Sequence, residues 1–244
     1  MAETSQSKVE STILKTFPQE GIVAILNQEG QAVGAGILVG RHHIFTLAHI
    51  IETSFKSPIE DIELGERVIC RFIFSPNQPA FATQIVEYAL NSSADDPKEN
   101  YAFLRLLGKP ETALPVQLAK EREPFLPQVN CFGFPNGYST WITARYTGVA
   151  GNKVLQLVPE TTLASWAGMG GGPVFHPETK EVLGVILAVH TTNNMLLAIP
   201  SEIIEEIVDG LQRRSPIEWE KPLSDNKADR SPLLEKRIPI NDNS

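Results

Sequence analysis

Four of the five residues from Gly168 to Gly172 are glycine, Met169 being the only interruption, and the run leads into Pro173-Val174-Phe175. Glycine permits positive φ and close backbone approach, so such a run suits a tight loop whose N–H groups converge on a ligand. Among side chains able to move a proton, His49 ends an apolar segment, whereas His42 and His43 precede that segment in what reads as a solvated loop. Adjacent histidines point in different directions, and no carboxylate or cysteine spacing accompanies them, so no metal site and no cofactor are expected. Cys70 and Cys131 each sit in an apolar, strand-like run. Buried reduced thiols are the expected state, with a single disulfide between them as the alternative.

The elements that must position these groups are short. Ser7 to Thr16 carries apolar residues at helical spacing and stops before Pro18, which predicts a short N-terminal helix. Strands are expected at Gly21 to Leu26, Gly34 to Gly40 and Ile44 to Ala48, with His49 closing the third. Residues 51–66 read as polar and turn-like; strands follow at Arg67 to Phe74, Phe81 to Leu90 and Asn100 to Leu106. A proline- and charge-rich crossover spans Gly108 to Pro127. Beyond it come Gln128 to Phe134, Trp141 to Gly148, Lys153 to Leu157, Gly172 to Phe175, Glu181 to His190 and Met195 to Ser201. Short strands cut by Gly and Pro favour an all-β double barrel over an α/β fold. Ser201 is a candidate N-cap for a closing helix whose apolar face is Ile203, Ile204, Ile207, Val208 and Leu211, with Arg213 and Arg214 at its C-terminal end. The expected organisation is an arm over 1–20, a first barrel over 21–120, a second barrel plus helix over 121–213, and a polar, proline-interrupted disordered tail over 214–244.

Several of these stretches resemble the trypsin/chymotrypsin clan, and most closely the Deg/HtrA-type bacterial peptidases. Gly168-Met169-Gly170-Gly171-Gly172-Pro173 resembles that family's G-[MN]-S-G-G-P loop, with Gly170 at the position of the nucleophilic serine. Gly34 to His49 resembles the segment ending in the general base, which implies that role for His49. Asn100-Tyr101-Ala102-Phe103-Leu104-Arg105-Leu106 resembles the strand led by the aspartate that orients the histidine; here the leading residue is Asn100. Met195 to Ser201 is similar to the F-A-I-P-[ST] that closes Deg-type protease domains. The resemblance implies two six-stranded antiparallel β-barrels of chymotrypsin-like type; unlike most Deg/HtrA enzymes, no PDZ-like domain is expected after them. It also implies an oxyanion hole from the N–H groups of Gly168 and Gly170, and Ala164 at the base of a small or apolar specificity pocket. Finally, it implies a strand edge at Leu187, Ala188 and Val189 that pairs with an extended protein or peptide.

On this resemblance Gly170 removes the nucleophile and Asn100 removes the charge that supports an imidazolium ion. A pseudoprotease that holds peptide in a retained groove is the first expectation. An active endopeptidase in which glycine replaced the serine to trap it for study is the alternative. Net charge of −8 and a pI near 5.2 argue against nucleic acid or an anionic membrane as partner. The polar N-terminus, the absence of a long apolar run, and Ile50 standing where the family's disulfide cysteine follows the histidine together predict a cytoplasmic protein. Oligomeric state is left open.

Overall fold

The computed structural model describes residues 19–75, 77, 80–90, 97–108, 113–120, 128–151 and 153–214. The expected N-terminal helix and the 214–244 tail, apart from Arg214, lie outside them. Twelve strands run in order: β1 Ile22–Leu26, β2 Ala32–Leu38, β3 His43–Thr46, β4 Arg67–Phe72, β5 Ala80–Leu90, β6 Asn100–Leu106, β7 Val129–Gly133, β8 Thr140–Val149, β9 Leu155–Pro159, β10 Pro173–Phe175, β11 Val182–His190 and β12 Met195–Pro200. Helix α1 is Ala48–Phe55 and helix α2 is Ser201–Arg214.

The strands close into two antiparallel barrels, β1-β2-β3-β6-β5-β4 and β7-β8-β9-β12-β11-β10. The second order is the first with six added to every number, so one connectivity is used twice. Closure leaves each strand paired on both sides, which disposes of backbone N–H and C=O groups that an open sheet would leave at its edges. Strands facing the interior are nearly continuous apolar runs: all five residues of β1 are buried, and so are all of β10. Each fully buried Val, Ile, Leu or Phe side chain among them contributes roughly 1.5–3 kcal/mol.

The barrels share a core. Ile22, Phe45 and Phe103 of the first belong to one apolar cluster with Phe132, Phe175 and Val185 of the second. An aromatic clasp crosses the seam, with Phe74 edge-on to Phe132 at 5.2 Å and 6.2 Å from Trp141 between ring centroids. Residues 113–120 of the crossover tie the same seam by backbone: Val116 N–H donates to Leu38 C=O, and Ala119 N–H to Val182 C=O.

Three expectations are corrected. The third strand ends at Thr46, and His49 lies in the first turn of α1 rather than closing the strand. That helix occupies the start of the 51–66 stretch expected to be turn. It buries Ala48, Ile50, Ile51 and Ser54 along one side. Its ends carry none of the usual sequence signals: Leu47 precedes it without a side-chain cap, and Lys56, not glycine, adopts the left-handed conformation (φ 59°) that stops it. Finally, His42 and His43 are not solvated. They are 9% and 3% exposed, because His43 is a β3 residue paired with Arg105 of β6. Burial, helped by Arg105 and His42, pushes the His43 imidazole down to about 4.

Cys70 and Cys131 are both free and buried, so the disulfide alternative falls. Burial pushes each thiol up to about 12, which leaves them inert.

Candidate functional site

The glycine loop lies at the seam, between β9 and β10, and three contacts seat it. Gly168 C=O accepts from Phe134 N–H (2.9 Å), Gly171 N–H donates to Ile186 C=O (2.9 Å), and Ala35 N–H of β2 reaches across to Gly170 C=O (2.9 Å). Met169 points away into the core of the second barrel, against Gly133.

Most of the glycines here are obligatory. A Cβ on Gly168 would meet Phe134 O at 2.1 Å, on Gly171 Ala35 O at 1.9 Å, and on Gly172 Phe132 O at 1.8 Å. Gly168 and Gly171 also hold positive φ (98° and 75°). Gly170 differs. Its φ is ordinary for any residue, and the nearest atoms to its would-be Cβ are His49 Nε2 at 3.2 Å, Ile50 Cδ1 at 3.4 Å and Leu47 Cδ1 at 3.7 Å. The loop is therefore built around glycine everywhere except at the position facing the histidine.

His49 is half-buried and comes from α1, whose N-terminus leaves unpaired N–H groups. One of them, His49 N–H, finds an acceptor in Asn100 Oδ1 at 3.4 Å. Asn100 starts β6 and is 2% exposed, so it has few other partners to choose from. With Oδ1 held at the helix terminus, its Nδ2 amide faces His49 Nδ1 at 2.9 Å, nearer than Oδ1 at 3.3 Å. Assigned from these contacts, the amide N–H donates to Nδ1, which makes that nitrogen the acceptor and puts the proton on Nε2. The imidazole then presents an N–H, not a lone pair, to the space at Gly170. Burial holds its pKa below the usual histidine value.

The N–H groups of Gly168 and Gly170 donate to no atom among the described residues, while those of their neighbours Met169, Gly171 and Gly172 are all used. Both glycines are half-buried and reachable. On β11, a bulge between Ile186 and Ala188 leaves Leu187 without a partner in β12 and buried; Ala188 and Val189 are half-exposed. Their far side pairs with no strand among the described residues, because pairing with β10 ends at Val185. Ala164 is exposed in the approach loop.

The structure thus brings His49, Asn100, Gly168 and Gly170 together, places the Leu187–Val189 edge on the strand next to the loop, and exposes Ala164 on the surface. Sequence reasoning missed Ala35, whose N–H braces the loop and whose C=O packs against Gly171, and Leu47 and Ile50, which wall the space at Gly170. The signal was Gly34-Ala35-Gly36: a Cβ on either flanking glycine would strike Ile50 or Ile44, marking a strand that another backbone approaches closely. Among the described residues no group of histidine, cysteine and carboxylate side chains is arranged to hold a metal, and no helix is long and apolar enough to cross a membrane.

The family model for the trypsin-like peptidase domain matches residues 34–185 of the chain, more than half of it. No curated protein matches the sequence. Among solved structures, the inactive form of a serine-to-alanine mutant of Rv3671c from M. tuberculosis H37Rv is similar at TM-score 0.59 and 17% identity, over 89% of this chain and 98% of that one. A serine endoprotease from Yersinia pestis is similar at TM-score 0.59 and 18% identity, over 87% of this chain and 68% of that one. Identities this low speak for the fold.

Proposed function

The chain belongs to the trypsin-like peptidase domain family, and from that premise we propose that it is a Deg/HtrA-like pseudoprotease, a module that holds extended protein segments without cleaving them. The serine mechanism needs a nucleophile, a histidine with a free Nε2 lone pair, and a buried carboxylate behind that histidine. The observation that carries the proposal is the pair of contacts on the two faces of one imidazole. Residue 170 brings no side chain to Nε2, and behind Nδ1 stands the neutral Asn100 amide at 2.9 Å, which, assigned as the donor there, puts the proton on Nε2. In chymotrypsin-type enzymes the asparagine change alone costs about 10⁴-fold in turnover, and loss of the serine in subtilisin costs about 10⁶.

Binding uses what does not depend on those side chains. Extended peptide adds along the open edge at Ala188 and Val189, and the Gly168 and Gly170 N–H groups receive a carbonyl. A cytoplasmic setting fits the two reduced, buried thiols.

The second reading, an active endopeptidase trapped by a serine-to-glycine change, is favoured by the room for a Cβ at residue 170 alone among the loop glycines. Asn100 weighs against it, since the change at residue 170 does not account for it. Fluorophosphonate labelling separates the two. Gly170→Ser is expected to stay unlabelled, and Gly170→Ser with Asn100→Asp to label. Strong labelling and cleavage by Gly170→Ser alone would favour the trapped protease. For the groove, a degenerate hexapeptide library passed over the folded protein should be retained above an unfolded control; no excess retention would sink the peptide-holding reading.

A further inference from the structure

The two departures at the seam change its chemistry in the same direction. With serine and aspartate, the site would hold a hydroxyl oxygen, an imidazole lone pair and a buried negative charge. With Gly170 and Asn100 the acceptors Asn100 Oδ1 and Gly170 C=O are engaged by His49 N–H and Ala35 N–H, and N–H donors remain. Those of Gly168 and Gly170 are unused within the described fold. A third, His49 Nε2–H, follows from assigning the nearer Asn100 Nδ2 as donor to Nδ1, and Nε2 lies 3.2 Å from where a side chain at residue 170 would begin. Between them is the room left by the missing side chain, walled by methyl groups of Ile50 and Leu47.

A peptide carbonyl satisfies the two backbone donors and gives the imidazole N–H nothing. A carboxylate has a second oxygen to accept it, and four lone-pair sites in all. Hydrogen bonds to an ionised acceptor are also about twice as strong as neutral ones. The charge that would repel a carboxylate from behind the histidine is absent, because Asn100 is neutral. Glu52 is the remaining carboxylate felt by His49, and its Oε1 is engaged by Ile59 N–H at 2.9 Å.

We infer that the seam captures the free C-terminal carboxylate of an extended peptide. One oxygen sits on the Gly168 and Gly170 N–H groups, the other on His49 Nε2–H, and the preceding residues lie along the Ala188–Val189 edge. This rests on the peptide-holding reading and names its ligand as a chain terminus, not an internal segment. Both altered positions then have one role: Gly170 makes space for the second oxygen, and Asn100 orients the donor while removing the repulsive charge.

The test is a competition on immobilised full-length protein at neutral pH. One degenerate hexapeptide library is supplied in two forms, free acid and carboxamide, and the retained species are counted by mass spectrometry. The free acid is expected to be enriched at least tenfold. That enrichment should vanish in Asn100→Asp, which restores a negative charge and turns Nε2 into an acceptor. It should fall severalfold in Gly170→Ala, whose methyl group fills the space; melting curves confirm that each variant is folded, and either one alone suffices. Equal retention of acid and amide, or preference for the amide, overturns the carboxylate assignment while leaving the groove reading standing. Acid preference that survives undiminished in a folded variant overturns it too, by moving the carboxylate elsewhere. Retention of neither form overturns both the assignment and the groove.

Discussion

The glycines at the seam look alike in sequence and differ in what surrounds them. Replacing Gly171 by alanine forces a Cβ to within 1.9 Å of the Ala35 carbonyl at positive φ, a clash that only backbone movement relieves. Replacing Gly170 by alanine meets nothing nearer than 3.2 Å, and that atom ends a side chain. Gly171→Ala is therefore expected to cost about 3 kcal/mol or more, and Gly170→Ala less than about 1 kcal/mol, in denaturant unfolding. Equal losses would mean that residue 170 is held by something other than these contacts. The motif, together with the residues at 49, 100 and 170, was legible in the sequence because it is local. What was not legible is the orientation of the Asn100 amide. It depends on an N–H at a helix terminus 51 residues away in the chain, and no spacing rule announces that.

At the scale of elements, the strands were readable from their apolar runs and turn residues, and the two barrels followed from their number and spacing. Helix α1 was not readable. Its buried side is short and it lacks cap residues, so it takes its stability from packing on β6 and β1. His43 was misplaced for a related reason: a polar residue beside a charged one reads as loop, while its register opposite Arg105 buries it. That burial has a pH consequence. The folded state keeps His43 neutral down to about 4, whereas the unfolded chain takes up a proton near 6.5. Between those values the unfolded state binds more protons, so stability falls as pH falls and levels off below about 4. The contribution is on the order of 3 kcal/mol, and lowered His49 acts in the same sense. Denaturant titrations at pH 7 and pH 5 are expected to show the loss in the wild type and a shallower one in His43→Gln. An unchanged slope would show that His43 is not the group responsible.

At the scale of the whole molecule, helix α2 fastens the two barrels in two ways whose magnitudes differ. It packs on β11 and β12 of the second barrel through Ile204, Ile207, Val208 and Leu211. It also reaches the first barrel by charge. Arg214 contacts both carboxylate oxygens of Glu87 in β5 (2.5 and 2.7 Å), Glu87 accepts from Tyr101 of β6 (2.8 Å), and Lys98 pairs with Glu206 (2.7 Å). The Glu87 carboxylate and burial together push the Tyr101 phenol up to about 12, burial being the larger cause. The Arg214 side chain is 58% exposed, and solvent screens a pair of that kind to about 1 kcal/mol or less. Ile204 is fully buried, and truncating it removes apolar area and leaves a cavity, at about 2–4 kcal/mol. Apolar packing therefore dominates the docking of α2, and the ion pairs set how it bridges to the first barrel. Ile204→Ala is expected to lower the unfolding midpoint strongly at any ionic strength. Arg214→Ala should lower it slightly at low salt and hardly at all at 1 M salt, where the Debye length is about 3 Å. If Arg214→Ala proved as costly as Ile204→Ala, the two barrels would be joined chiefly through the Glu87–Tyr101 face, and the seam that carries His49, Asn100 and Gly170 would depend on that charge network.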